Sequence, residues 1–170
     1  MHNLWIKKNR IPESKRIALY SALVLPILPY NCETRGVAQS VLTRLDVFHR
    51  KQLRHLLGLH YPARVTNDQL YKRARSSPLS ITIQQRRIRM MGHVLRLDSD
   101  TPPQKSMLQY FSTDAKGRRG RPKLSLATTS IQDQQKNGIK MKNTHDLERA
   151  RSIAADKKKW KLIVKSTHIS

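Results

Sequence analysis

Apolar residues recur along this chain at spacings of three and four, the period of an amphipathic helix, and no stretch alternates convincingly as a half-buried strand would. The segment 14–25, "SKRIALYSALVL", is the first helix expected, with Glu13 near its start and Pro26 near its end. From 41 to 57 the pattern is clearer. At 100° per residue Val41, Leu42, Leu45, Phe48 and Leu56 fall on one side, and Arg44, Arg50, Lys51 and Arg54 on the other. Ser40 is the expected N-cap and Gly58 the expected stop. Thr66-x-x-Gln69 is a capping-box pattern opening a short third helix. In 77–97, Ser77 is expected to cap and Pro78 to take the first helical position. Ile81, Ile88, Met91 and Leu95 line one face of that helix, and Arg86, Arg89, His93 and Arg96 the opposite one. A narrower strip of Met90, Val94 and Leu97 implies a second packing neighbour.

"DSDTPPQ" (98–104) interrupts the pattern before a short helix over 104–110. Periodicity then disappears over 112–124. A weaker helix is expected over 125–136, with a Gln-rich end and Gly138 beyond it. A last helix runs from Thr144 to about Val164, with Ile153, Trp160 and Val164 sharing a face. The expectation is an all-α chain. Residues 1–12 form a flexible N-terminal segment, 13–111 a helical unit, 112–124 a basic disordered linker and 125–170 a C-terminal helical appendage.

Charge changes the picture most. Lys and Arg number 34 against 11 acids, a net +23 in 170 residues. That excess raises solubility, repels the compact state and favours a polyanion as partner. A membrane is the weaker partner, because the apolar run 17–30 is shorter than the roughly 20 residues a bilayer requires and contains Pro26 and Pro29. The start of the chain lacks the basic-then-apolar order of a signal peptide, so an intracellular protein is expected. One cysteine, Cys32, excludes an internal disulfide and a thiolate-rich zinc site.

Candidate chemistry is binding rather than reaction. Asp98 and Asp100, two residues apart, sit in a Pro-containing turn and do not form the carboxylate cluster that metal-assisted phosphoryl transfer requires. His49, His55 and His60 contain no i, i+4 pair for a metal. Cys32 has no evident base and reads as a small buried hydrophobe. No catalytic residue, metal ligand, cofactor or small-molecule substrate is expected. Arg86, Arg87, Arg89 and Arg96 supply guanidinium forks suited to phosphate, set against the plainer reading of a solvated helix face. "KGRRGRPK" (116–123) offers Lys116, Arg118, Arg119, Arg121 and Lys123 with no acid. It is either a phosphate strap, an Arg119-Gly120-Arg121 hook for a narrow A·T minor groove, a nuclear address or a plain linker.

Five segments in order, "LYSALVLPILPYNCET" (19–34), "LTRLDVFHRKQLRHLLGL" (42–59), "RVTNDQLYKR" (64–73), "RRIRMMGHVLRL" (86–97) and "GRRGRPK" (117–123), resemble the C-terminal region of LINE-type non-LTR retrotransposon reverse transcriptases. "AADKKKWKLIV" (154–164) resembles that family's closing Asp-x-x-x-Trp segment. The resemblance spans roughly residues 15–165 and implies thumb-side helices that hold DNA or RNA, in a nuclear protein. The family's polymerase palm carries an Asp-Asp motif, and no Asp-Asp pair occurs here. The expectation is therefore a nucleic-acid-binding remnant without polymerase or endonuclease activity of its own. Two alternatives stay open: a C-terminal fragment of an active polyprotein, and a translated relic without selected function. The family often has Trp after "CET", where Arg35 stands, and an aromatic where Met90 stands. It commonly has a Trp-containing helix where this chain reads "LSLATTSIQD". Each large buried aromatic lost removes ~2–3 kcal/mol, so marginal stability is expected.

Overall fold

The computed structural model describes residues 11–112, 125–139 and 144–167. The expected N-terminal segment, apart from its last two residues, and nearly all of the basic linker lie outside the described residues. Every regular element among those described is helical, and the fold is all-α. The α-helices are α1 (Glu13–Leu23), α2 (Gln39–Leu57), α3 (Asn67–Ala74), α4 (Leu79–Leu95), α5 (Pro102–Ser112), α6 (Leu126–Lys136), α7 (Thr144–Ala155) and α8 (Lys157–Ser166). A 3-10 turn, Cys32–Thr34, separates α1 from α2.

Contacts divide the chain into two compact units, and the division differs from the expected one. Among the described residues, the first holds residues 11–30 and Gln39–Thr82; the second holds Asn31–Ala38 and those from Ile83 on. Residues 83–111 therefore group with the C-terminal helices. The physical reason is that Ile88 and Leu95 of α4 share one core with residues of α7 and α8.

In the first unit, Tyr20, Leu53, Leu56, Leu57, Leu70 and Ala74 form the core. The buried stripe of α2 runs through Leu42, His49, Leu53, Leu56 and Leu57. It leaves Val41 and Phe48, expected on the inner face, 44% and 40% exposed. A histidine takes the inward position because both ring nitrogens find partners. Tyr20 Oη stands 2.9 Å from Nδ1 and Ser76 Oγ 3.0 Å from Nε2. Burial pushes the Tyr20 phenol up to about 12, so it remains protonated and able to donate. The Tyr20 and His49 rings also stack, with centroids 5.6 Å apart.

The helix ends explain the boundaries. Gly58 adopts φ 67°, where an L side chain is strained. Leu59 N donates to Arg54 O and Gly58 N to His55 O, closing α2 in the manner expected. The Thr66–Gln69 capping box is present in full. The start of α4 departs from expectation: the helix begins after Pro78, and Ser80 N donates to Asp46 Oδ1 of α2 at 3.0 Å. A tertiary carboxylate thus satisfies an orphan N–H at the helix start.

In the second unit, Ile88, Leu95, Met107, Ile139, Leu147, Ala150, Ala154, Trp160 and Val164 form the core. The single last helix expected is two. Asp156 Oδ1 accepts from Lys158 N and Lys159 N, ending one helix and capping the next. Ile153 lies 36% exposed while Trp160 and Val164 are buried. Trp160 Nε1 donates to Ile88 O at 3.0 Å, which places the indole over Gly92. Two arginines close α4 and α7 reciprocally. Arg96 Nη1 donates to Ala154 O at 3.0 Å and Arg151 Nη2 to Leu97 O at 3.2 Å.

Two outcomes test this packing. Burial holds the His49 imidazole below its ordinary value, so the unfolded chain takes up the proton first. The stability that neutral His49 contributes is complete above about pH 6.5 and is lost as pH falls below it. Urea midpoints followed by circular dichroism are expected to drop between pH 7.5 and 5.5, and to drop less in His49→Gln; an equal drop in both would refute the assignment. Gly92→Ala is the second test. On an exposed helix it would stabilise by roughly 1 kcal/mol. Here the added Cβ would stand 2.1 Å from Trp160 Nε1, so a loss of about 1–3 kcal/mol is expected, read as a lowered thermal midpoint.

Candidate nucleic-acid interface

The arginines expected on one binding face are distributed by the fold into different roles. Arg87 lies one turn from buried Ile83 and is itself only 3% exposed. Its Nε stands 2.7 Å from Asp133 Oδ2, also buried. Burial outweighs the attraction of Arg87 and holds the Asp133 carboxyl above its usual range. Arg87 is therefore a core residue and is withdrawn from the interface. Arg96 is half-buried and committed to the Ala154 carbonyl. Arg86 is half-buried, with its charge acting on Cys32. Arg89 is exposed. Lys116, Arg118, Arg119, Arg121 and Lys123 lie outside the described residues.

Cys32 is buried and donates to Glu33 Oε2 at 3.4 Å. Burial, then the Glu33 hydrogen bond and charge, push its thiol up to about 11 against the opposing pull of Arg86. It is a protonated, inert thiol at neutral pH. Among the described residues no three His, Cys, Asp or Glu side chains are grouped to hold a metal ion.

The first unit contains a cleft of about 910 Å³ around the second half of α2. Tyr20 of α1 and Val24 just beyond its end form part of its wall, with Leu56 and Leu59. Arg50, Lys51 and Arg54 face it, and among the described residues no carboxylate does. Arg54 is oriented by Nη2 donating to Asn67 Oδ1 at 2.8 Å. Val47 and Phe48 reach the same cleft while 52% and 40% exposed. The His55 and His60 rings meet edge to face with centroids 6.0 Å apart. Helical periodicity placed the α2 cations outside but assigned Phe48 to the core, which hid the mixed character of this surface. The signal was the run "VFHRKQLRH", in which apolar, aromatic and cationic side chains alternate too closely for one buried stripe.

A smaller cavity in the second unit, about 410 Å³, is lined by Met90, Met91, Val94, Met107 and Leu126 among others. Among the described residues no charged side chain lines it.

The distinction between core and surface arginines is testable. Arg87→Ala leaves Asp133 buried and unpaired, and a loss of about 3–5 kcal/mol in folding stability is expected. Arg89→Ala is expected to leave stability within about 0.5 kcal/mol. Equal effects in denaturant titrations would contradict the burial of Arg87.

No family model, no curated protein and no solved structure matches this chain.

Proposed function

We propose that this chain binds nucleic acid, as the thumb-side portion of a non-LTR retrotransposon reverse transcriptase, and carries no polymerase or endonuclease centre of its own. The observation that carries the reading is the cleft of the first unit: three cations, one of them oriented by an amide, and no carboxylate among its described lining residues. Two features of the sequence support it. One is the net charge of +23; the other is the ordered set of segments that resembles that family. A cationic surface without acids attracts phosphate at long range and, on contact, releases counterions from it.

The division of labour follows from placement. Arg50, Lys51 and Arg54 are the principal phosphate contacts. Arg89 is an exposed auxiliary, and the 116–123 strip adds a further cationic segment. Arg is suited to this role because its planar fork pairs with phosphate through two donors at once. The contacts proposed read backbone rather than base sequence, and a nuclear location is the natural one for such a protein.

The experiment is binding of the purified chain to duplex DNA, a DNA–RNA hybrid and an RNA hairpin over a salt series. Affinity is expected to fall linearly on a log–log plot, with a slope near −0.9 per phosphate neutralised on duplex DNA. Lys51→Gln with Arg54→Gln is expected to flatten that slope by about 0.9 for each contact removed while preserving helicity. Binding that ignores salt, or a double variant with an unchanged slope, would count against the proposal.

A further inference from the structure

The geometry points to a single-stranded nucleic acid as the occupant of the α2 cleft, with a base seated on Phe48 and its phosphates on Lys51 and Arg54. This rests on the nucleic-acid reading above and narrows it. Phe48, Lys51, Gln52 and His55 are spaced i, i+3, i+4 and i+7, so they follow one face of the helix, and all four line the cleft. Phe48 and His55 are about 10 Å apart along the axis at 1.5 Å per residue. Two flat rings are thus separated by a cation and an amide. This alternation suits a chain whose bases and phosphates must be addressed in turn.

A duplex does not make use of this surface. Its base faces are hidden in the stack, and it offers phosphates and groove edges. Cations alone would serve it, and exposed Phe48 and Val47 would be dehydrated against charge for no return. An unpaired strand presents base faces, which stack on aromatic rings without sequence preference, while its backbone follows the cations. A second copy of this chain is disfavoured as occupant, because it brings another +23 to a cationic cleft. An acidic amphipathic peptide shares the charge complementarity but has no need of two flat platforms in register.

The test uses fluorescence anisotropy of the full chain with a labelled oligothymidine strand and with a blunt duplex of equal length. Phe48 is 40% exposed, so Phe48→Ala leaves the core intact, which circular dichroism verifies. Phe48→Ala is expected to weaken single-strand binding roughly 5- to 100-fold and to leave duplex binding unchanged. Phe48→Trp is expected to restore it. Unchanged single-strand affinity in Phe48→Ala, or equal loss for strand and duplex, overturns the inference while the nucleic-acid reading stands. So does Phe48-dependent binding of an acidic amphipathic peptide with no Phe48 dependence for the strand. If neither oligonucleotide binds the unaltered chain, the nucleic-acid reading fails and this inference fails with it.

Discussion

Scarcity of acids is the constraint on which this structure depends. The sequence holds 11 carboxylates against 34 cations, so few of its positive charges can be neutralised internally. The fold places several of those carboxylates at positions where one group does the most. Asp46 satisfies an N–H at the start of α4. Asp156 accepts two N–H groups and thereby separates α7 from α8. Asp133 accompanies the buried Arg87, and Glu13 holds Arg73 through both carboxylate oxygens. The last pair is largely solvated and contributes at most about 1 kcal/mol. A carboxylate engaged in a cap or a buried pair is not free to neutralise a surface arginine. The cleft of the first unit is cationic for this reason.

Carbonyls take the place of missing acids elsewhere. Arg96 and Arg151 each donate to a carbonyl near the C-terminal end of the helix opposite. A cation there complements the negative end of a helix and satisfies a group that has no partner within it. Trp160 does a related thing with its indole N–H, donating to a carbonyl inside α4 beside Gly92. The second unit is thus joined by donors reaching backbone oxygen, a mode of cohesion available to a basic chain. It adds to an apolar core in which Ala150 and Ala154 are fully buried and allow α7 to pack closely.

Much of the fold was legible because its determinants are local. The helical period, the Thr66–Gln69 box and the Gly58 stop each act within a few residues, and each appears where the sequence places it. What was not legible depends on partners distant in sequence. Ser77 is an adequate cap by itself, and nothing near it signals that Asp46, 34 residues away from Ser80, will supply one. A continuous period over 144–164 conceals a break, because Asp156 within it reads equally as a surface acid and as a cap. The candidate site shows the same limit. His49 enters the core, where Tyr20 and Ser76 meet its two nitrogens, while Phe48 beside it is left 40% exposed. Residue type alone favours the opposite assignment.

Buried arginines sharpen the functional argument. Arg16 and Arg87 are both within the core, so the formal charge overstates what the surface presents. A face read from the spacing of α4 loses Arg87 to Asp133 and commits Arg96 to a carbonyl. The α2 cations differ in what holds them. Arg54 is oriented by an amide, a neutral group that positions the guanidinium without cancelling its charge. A fixed, uncancelled cation loses less entropy on meeting a phosphate than a free one, and less attraction than a paired one. Among the described cationic side chains, that combination favours α2 over α4 for the nucleic-acid contact proposed above.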